Sequence, residues 1–272
     1  MHFLNCLKGF FYNRLLDFLN QENILFNKQF GFRKSFSTQM ALLLVSDTIY
    51  NAIENGDFVL GVYLDFSKAF DTVNHSILLA KLNYYGIRGI AWEWVKSYLN
   101  NRTQYISYEN IVSDKKYVSC GVPQGSILGP ILFLIYINDL AIVSNNLFMC
   151  MFADDTSVFL SGKNLNDLEK VMNQELSLLS EWLNANKLSL NVSKTHYMIF
   201  TPPRKKVIHK ISLKINESEL QYVSKTKFLG IIIDSQLSWK EHVSYIKGKI
   251  CKSIGIINRA KQFLNKESLK CL

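Results

Sequence analysis

The sequence predicts an α+β fold, and three observations carry that prediction. Of the 272 residues, 48% are apolar, 13% aromatic and only 19% charged, so burial can offset the ordering entropy of the chain and a disordered class is excluded. The hydrophobic period changes along the chain, from helical spacing to the short apolar run Asp57-Phe-Val-Leu-Gly-Val-Tyr-Leu-Asp65, which reads as a central strand bounded by carboxylates. Strands and helices then mix without regular βαβ alternation, and no GxGxxG or Walker loop marks a doubly wound fold. The four prolines fall in two places, Pro123 with Pro130 and Pro202-Pro203, and no repeat is visible. One continuous body is expected.

Residues 1–20 read as an amphipathic helix, and 38–54 as a second, with Ser37 or Thr38 as its cap and Gly56 as its stop. After the strand at 57–65 come helical patterns at 70–85 and 90–100, then strands near 102–108 and 116–120. The turn Gly121-Val-Pro-Gln-Gly125 precedes a helix over 127–143, in which Pro130 is tolerable only near the first turn, where N–H groups lack partners anyway. Two strands, 147–152 and 157–160, flank Asp154-Asp155. A long amphipathic helix follows at 165–185, then strands near 196–200, 210–215 and 227–234, and a basic helix from Trp239 onward.

Cys6, Cys120, Cys150, Cys251 and Cys271 form no CxxC pair, so free thiols and an intracellular location, cytoplasm or nucleus, are expected. The one long apolar stretch, Ile127 to Ile137, is interrupted by Gly129 and Pro130 and is short of the ~20 residues a membrane helix needs. No membrane partner and no secretory leader are expected. Charge is distributed unevenly. Residues 1–200 hold 16 Lys and Arg against 17 Asp and Glu, whereas residues 201–272 hold 15 against 5. The C-terminal quarter therefore reads as a surface for a polyanion.

Asp154-Asp155 lies between two segments of paired-strand length, which puts both carboxylates at a hairpin tip, where they stay solvated or meet a cation. The pair alone would be an ordinary turn. Asp65 ends the other apolar strand, at a sheet edge that such a tip could reach. Three converging carboxylates repel one another, and hard cations with oxygen ligands relieve that repulsion. Two such ions about 3.5–4 Å apart can clamp the attacking and leaving oxygens of a phosphoryl transfer. Asp71 reads as a helix-start or surface carboxylate.

Three segments then become specific in combination: Leu64-Asp-Phe-Ser-Lys-Ala-Phe-Asp-Thr-Val-Asn-His75, Gly121-Val-Pro-Gln-Gly-Ser-Ile-Leu-Gly-Pro130 and Phe152-Ala-Asp-Asp155. In that order they resemble polymerase motifs A, B and C of reverse transcriptases. Gln29-Phe-Gly-Phe-Arg-Lys-Ser-Phe-Ser-Thr38, Leu188-Ser-Leu-Asn-Val-Ser-Lys-Thr195 and Phe228-Leu-Gly230 resemble the flanking finger motif, motif D and motif E. The wording is that of jockey-like non-LTR retrotransposons and covers nearly all of residues 10–260.

The resemblance implies a right-hand polymerase palm, an antiparallel sheet packed on helices. Partial fingers would occupy 1–57, the palm 58–85 and 118–234, an insertion 86–117, and the start of a basic helical thumb 235–272. It implies RNA-directed DNA polymerase activity on an RNA template and a DNA primer, with deoxynucleoside triphosphates as substrate and two Mg²⁺ ions, or Mn²⁺ in their place. Asp65, Asp154 and Asp155 would hold the metal, and Lys194 would protonate the leaving pyrophosphate. Phe66, Phe70, Gln124, Gly125 and Arg33 would line the nucleotide site. Phe70 would exclude a 2′-hydroxyl, and Phe228, Leu229 and Gly230 would form the primer grip. The cations Arg204, Lys205, Lys206, Lys225, Lys227, Lys247, Lys249, Lys252, Arg259 and Lys261 would follow duplex phosphates. An upstream finger segment of Arg-Pro-Ile-Ser type and an endonuclease domain are absent from these 272 residues. Chemistry is expected to be encoded and grip incomplete, with an inactive nucleic-acid-binding remnant as the alternative. The sequence says nothing of oligomeric state.

Overall fold

The structure, a computed structural model, describes residues 2–109, 111–202, 205 and 211–270. Helix α1 (His2–Gln21) and helix α2 (Thr38–Glu54) precede strand β1 (Phe58–Leu64), whose seven residues are all buried. A strand buried on both faces explains why its sequence is a continuous apolar run rather than an alternating one. Helices α3 (His75–Tyr84) and α4 (Ile90–Leu99) follow, then four two-residue strands, β2 (Thr103–Gln104), β3 (Ser107–Tyr108), β4 (Ile111–Val112) and β5 (Lys116–Tyr117). Helix α5 (Gly129–Ile137) leads to β6 (Phe148–Phe152), β7 (Asp155–Gly162) and helix α6 (Leu165–Ala185). The remainder is β8 (His196–Phe200), β9 (Lys214–Ile215), β10 (Ser218–Glu219), β11 (Gln221–Tyr222), β12 (Lys225–Phe228), β13 (Ile231–Asp234), α7 (Lys240–Ala260) and α8 (Lys266–Lys270).

Five strands form the main sheet in the order β11-β8-β1-β7-β6, antiparallel except for the parallel β11–β8 edge. Alternation along β1 divides the core. Leu60, Val62 and Leu64 join the larger cluster, with Leu78 of α3, Phe133 of α5 and Leu176 of α6. Val59 and Tyr63 join the second, with Val45 and Ile49 of α2 and Phe228 of β12. Helix α5 is buried on every side except at Pro130 in its first turn, which is why its sequence carries no amphipathic stripe.

Several elements depart from the expected bounds. The helix expected over 70–85 breaks: Ala69–Asp71 is a 3₁₀ turn, and α3 starts only after Asn74, whose side chain accepts the Ile77 N–H at 3.1 Å. The helix expected over 127–143 divides into α5 and a 3₁₀ turn over Asn138–Ile142. The strand expected at 227–234 folds back on itself, because Leu229 (φ +46°) and Gly230 (φ +90°) make a two-residue hairpin between β12 and β13. The strands expected at 102–108 and 116–120 are exposed ladders, β2 with β5 and β3 with β4. Of the strand expected over 210–215, only Lys214–Ile215 pairs, and Lys210 lies outside the described residues. Ser37 is the cap of α2, its Oγ accepting the Met40 N–H. Cys6, Cys120, Cys150 and Cys251 are free thiols; Cys271 lies outside the described residues. No described helix is long and apolar enough to cross a membrane.

The break before α3 has a structural reason. Residues 70–74 pack backbone to backbone against 120–122: Val122 N–H donates to the Phe70 carbonyl and Gly121 N–H to the Val73 carbonyl, both at 2.8 Å. Gly121 has φ +86°, and a Cβ there would stand 2.7 Å from the Asp71 carbonyl oxygen. Both the backbone conformation and the close approach require glycine. Gly121→Ala is therefore expected to destabilise the chain by about 2 kcal/mol, measured as a lower urea midpoint at unchanged slope.

Candidate active site

The β6–β7 hairpin turns on two residues only, since Phe152 pairs with Asp155 and leaves Ala153 and Asp154 in the loop. Ala153 has φ +56°, a left-handed conformation that costs a non-glycine residue on the order of 1–2 kcal/mol. The surroundings hold it there. Residues 28–30 cover the outer edge of β6, with Phe30 N–H donating to the Met151 carbonyl at 2.8 Å and Met151 N–H to the Lys28 carbonyl at 3.0 Å. Gln29, a buried side chain, accepts the Ala153 N–H on Oε1 at 2.9 Å. Gly31 comes so close that a Cβ on it would stand 2.2 Å from the Ala153 nitrogen.

The third carboxylate arrives by register. Leu64 pairs with Thr156, so the next step along the two strands brings Asp65 opposite Asp155 and onto one face of the sheet. The backbone of Asp65 is fixed from the other side by residues 191–195. Its N–H donates to Thr195 Oγ1 at 3.2 Å, and its carbonyl accepts the Asn191 N–H at 2.7 Å. The same segment carries Lys194, whose Nζ stands 3.9 Å from Asp65 Oδ2. Tyr63, Asp65, Asp155, Lys194, His196, Phe228 and Leu229 line one cleft of about 170 Å³. A larger apolar groove, of about 500 Å³ between α1 and residues 86–94, holds no carboxylate, and another of about 640 Å³ is lined by Asp71 and Gln124.

The remaining sequence candidates separate into those that face this region and those that do not. Phe70 sits on the 3₁₀ turn, not on a helix, stacked on Phe133 at 4.2 Å and edge-on to the exposed Phe32 at 6.1 Å. Gln124 is exposed, and its Nε2 donates to Asp71 Oδ1 at 3.0 Å, so Asp71 ties the first motif to the second. Gly125 turns with φ +75° and has open space about it. Phe66 is buried in the larger core, because alternation sends Asp65 outward and its neighbour inward. Arg33 donates from Nη1 to the carbonyls of Phe26 (2.9 Å) and Gln29 (3.3 Å) and lies over Phe36. Its visible work is to build the 26–36 loop. Phe228 is buried edge-on to Tyr63, while Leu229 and Gly230 form the hairpin tip.

The basic quarter divides in the same way. Lys225 pairs with Glu241 at 2.8 Å, and Lys205 donates to the Gly56 carbonyl. Lys227 and Lys249 flank the Tyr245 ring, at 5.9 and 4.7 Å, and with the hydrogen bond from Lys249 leading they pull the Tyr245 hydroxyl below its ordinary range. Lys247, Lys252, Arg259 and Lys261 are exposed. Arg204 and Lys206 lie outside the described residues.

Comparison with known proteins decides the family. The model for the reverse transcriptase (RNA-dependent DNA polymerase) family matches residues 5–233. The chain belongs to the reverse transcriptase family. It is 28% identical over 246 residues to the probable RNA-directed DNA polymerase from transposon BS of Drosophila melanogaster, covering 85% of this chain and 26% of that protein. It is 27% identical over 266 residues to the RNA-directed DNA polymerase from mobile element jockey of the same fly, covering 95% and 29%. The chain thus spans about a quarter of the length of the curated relatives it matches. Among solved structures, apo telomerase from Candida tropicalis superposes with a TM-score of 0.56 at 14% identity, over 82% of this chain and 39% of that one. The shared fold is the reverse transcriptase palm, with its antiparallel sheet on helices.

Reverse transcriptases use divalent metal ions, and the donor set here fits them. Asp154 is pushed above the ordinary carboxylate range, by partial burial first and by the charge of Asp65 besides. Asp155 keeps access to solvent but is raised too, by the protein around it and then by Asp154 and Asp65. A cation relieves both causes. Among the described residues no three His, Cys, Asp or Glu groups are close enough to enclose an ion by themselves. Oxygens from a bound phosphate would complete the shell, the usual arrangement for Mg²⁺.

The raised carboxylates set a pH dependence. Folding takes up protons wherever the folded pKa exceeds the unfolded one, so without metal the stability must fall as pH rises from the ordinary carboxylate range through the raised values. Asp154→Asn is expected to remove part of that fall and to melt higher than the parent at pH 7 in the presence of a chelator. Melting curves of both proteins between pH 3 and pH 8 check this, and a variant that loses stability at pH 7 contradicts it.

Proposed function

We propose that this domain carries out RNA-directed DNA synthesis: attack of a primer 3′-hydroxyl on the α-phosphate of a deoxynucleoside triphosphate, with pyrophosphate leaving. The observation that carries this reading is the meeting of Asp65 with the Asp154-Asp155 turn at one end of the sheet, in a chain of the reverse transcriptase family. Two Mg²⁺ ions, or Mn²⁺ in their place, would be held by Asp65 and Asp154 with Asp155 assisting, and would stabilise charge on the attacking and leaving oxygens. Lys194 is the proton donor to the leaving pyrophosphate; its ammonium, near Asp65 and open to solvent, supports that role. Gln124 and Gly125 lie against the nascent base pair, with Gln124 held by Asp71. Phe228 anchors the Leu229-Gly230 tip that supports the primer end. Residues 1–57 serve as fingers and 235–272 as the base of a thumb around the palm, with 86–117 inserted. The exposed cations of α7 follow the phosphates of an RNA template and its DNA primer, a sequence-independent and salt-sensitive contact.

The test is primer extension on an RNA template. Asp65→Asn and Asp154→Asn are each expected to lower extension by at least about a thousandfold while template-primer binding, measured by fluorescence anisotropy, stays within about twofold. Binding without extension in the parent chain would leave a nucleic-acid-binding remnant instead.

Phe70 is the sugar discriminator in this reading. Its ring rests on Phe133 and so cannot retreat, and exclusion by bulk needs no hydrogen bond. Phe70→Val is expected to raise ribonucleotide use relative to deoxynucleotide use by about tenfold or more, since one clash relieved is worth a kcal/mol or more. Unchanged discrimination in a folded, active variant returns Phe70 to a packing role.

A further inference from the structure

We infer that Gln29 is a positioning residue for the metal-binding turn, a clamp that sets where Asp154 and Asp155 stand. The inference rests on the polymerase reading for its consequence but on geometry for its substance. Gln29 is only 3% exposed and lies 124 residues from the turn it holds. Its Oε1 accepts two N–H groups, from Gly31 and from Ala153, both at 2.9 Å. Two donors on one atom identify that atom as the oxygen. Nε2 then faces the Ala153 carbonyl and donates to it at 3.5 Å.

The side-chain amide thus does for Ala153 what a neighbouring strand would do, meeting its N–H and its C=O together. Beyond Met151, where the backbone bridge Gln29↔Met151 ends, β6 has no further partner strand on this side among the described residues. The turn at that edge carries a left-handed alanine, which a free hairpin would not hold in one conformation. Gly31 completes the clamp by letting the loop backbone come within contact of Ala153. The Gln29 side chain is buried, so its influence passes through Ala153 to Asp154 and Asp155, the two residues that follow it. Groups that orient metal ligands in this indirect way typically change metal affinity or activity by 10–100-fold when removed.

Gln29→Met keeps the volume and removes both hydrogen-bonding atoms, whereas Gln29→Glu keeps the acceptor. Amide hydrogen exchange at Ala153 reads the clamp directly. In the parent chain that amide is expected to exchange slowly, like those of β1, and an exchange rate typical of an open turn there overturns the inference with no variant needed. In Gln29→Met it is expected to speed up at least tenfold relative to β1 amides, and in Gln29→Glu to remain protected. Mn²⁺ affinity, read by electron paramagnetic resonance, is expected to fall by 10-fold or more in Gln29→Met. The extension rate is expected to fall with it while KM for the triphosphate changes less than threefold. A folded Gln29→Met with parental exchange at Ala153 and parental Mn²⁺ affinity overturns the inference. If the parent chain does not extend primers at all, the polymerase reading fails, and the exchange and Mn²⁺ results still decide whether Gln29 holds the turn.

Discussion

Mutual repulsion among Asp65, Asp154 and Asp155 is the constraint to which the rest of the structure answers. Side chains of one sign do not gather unless the backbone forces them, and here the antiparallel pairing of β1 with β7 does the forcing. A slip of one residue would send Asp65 to the opposite face and exchange the residues that β1 supplies to the two cores. The fit of Leu60, Val62 and Leu64 to one core and of Val59 and Tyr63 to the other opposes that slip. The hydrophobic cores on the two sides of the sheet therefore fix the carboxylates more firmly than any contact the carboxylates make themselves.

Three loops then hold what the sheet alone leaves loose. Residues 191–195 grip the Asp65 backbone through Thr195 and Asn191. Residues 28–31 cover the edge of β6 and meet the Ala153 turn. Residues 120–122 lie against 70–74, where Gly121 permits an approach that no other residue could. Each loop belongs to a different sequence motif, so motif order along the chain and motif convergence in space have a common cause. Each motif supplies either a charged group or the backbone that keeps a charged group in place.

Much of this was legible in the sequence. The run 57–65 announced a central strand because it is apolar without alternation, and the carboxylate pair between two strand-length segments announced a hairpin tip. Helix α6 begins and ends where its amphipathic period does. The misses have physical causes. The apolar period of 70–85 is continuous, but Asn74 caps a new helix and the backbone before it pairs with 120–122, a tertiary demand that overrides local pattern. The fold-back at Leu229-Gly230 was hidden because a leucine with positive φ carries no turn signature. Phe66 points into the core, a direction that motif resemblance does not supply. Gln29 and Thr195 lie in the finger motif and motif D, but a neutral side chain that binds backbone leaves no chemical pattern to read.

On the proposed reading, two segments about 90 residues apart, around Asp65 and around Asp154-Asp155, share one metal site. Loading the chain with Fe²⁺ in place of Mg²⁺, in the presence of a deoxynucleoside triphosphate, and then adding peroxide and ascorbate makes the bound ion cut the backbone beside it. Cleavage is expected within a few residues of Asp65 and of Asp154 in the same sample, both suppressed by excess Mg²⁺. Cleavage confined to one of these segments, or centred elsewhere in the chain, would contradict it.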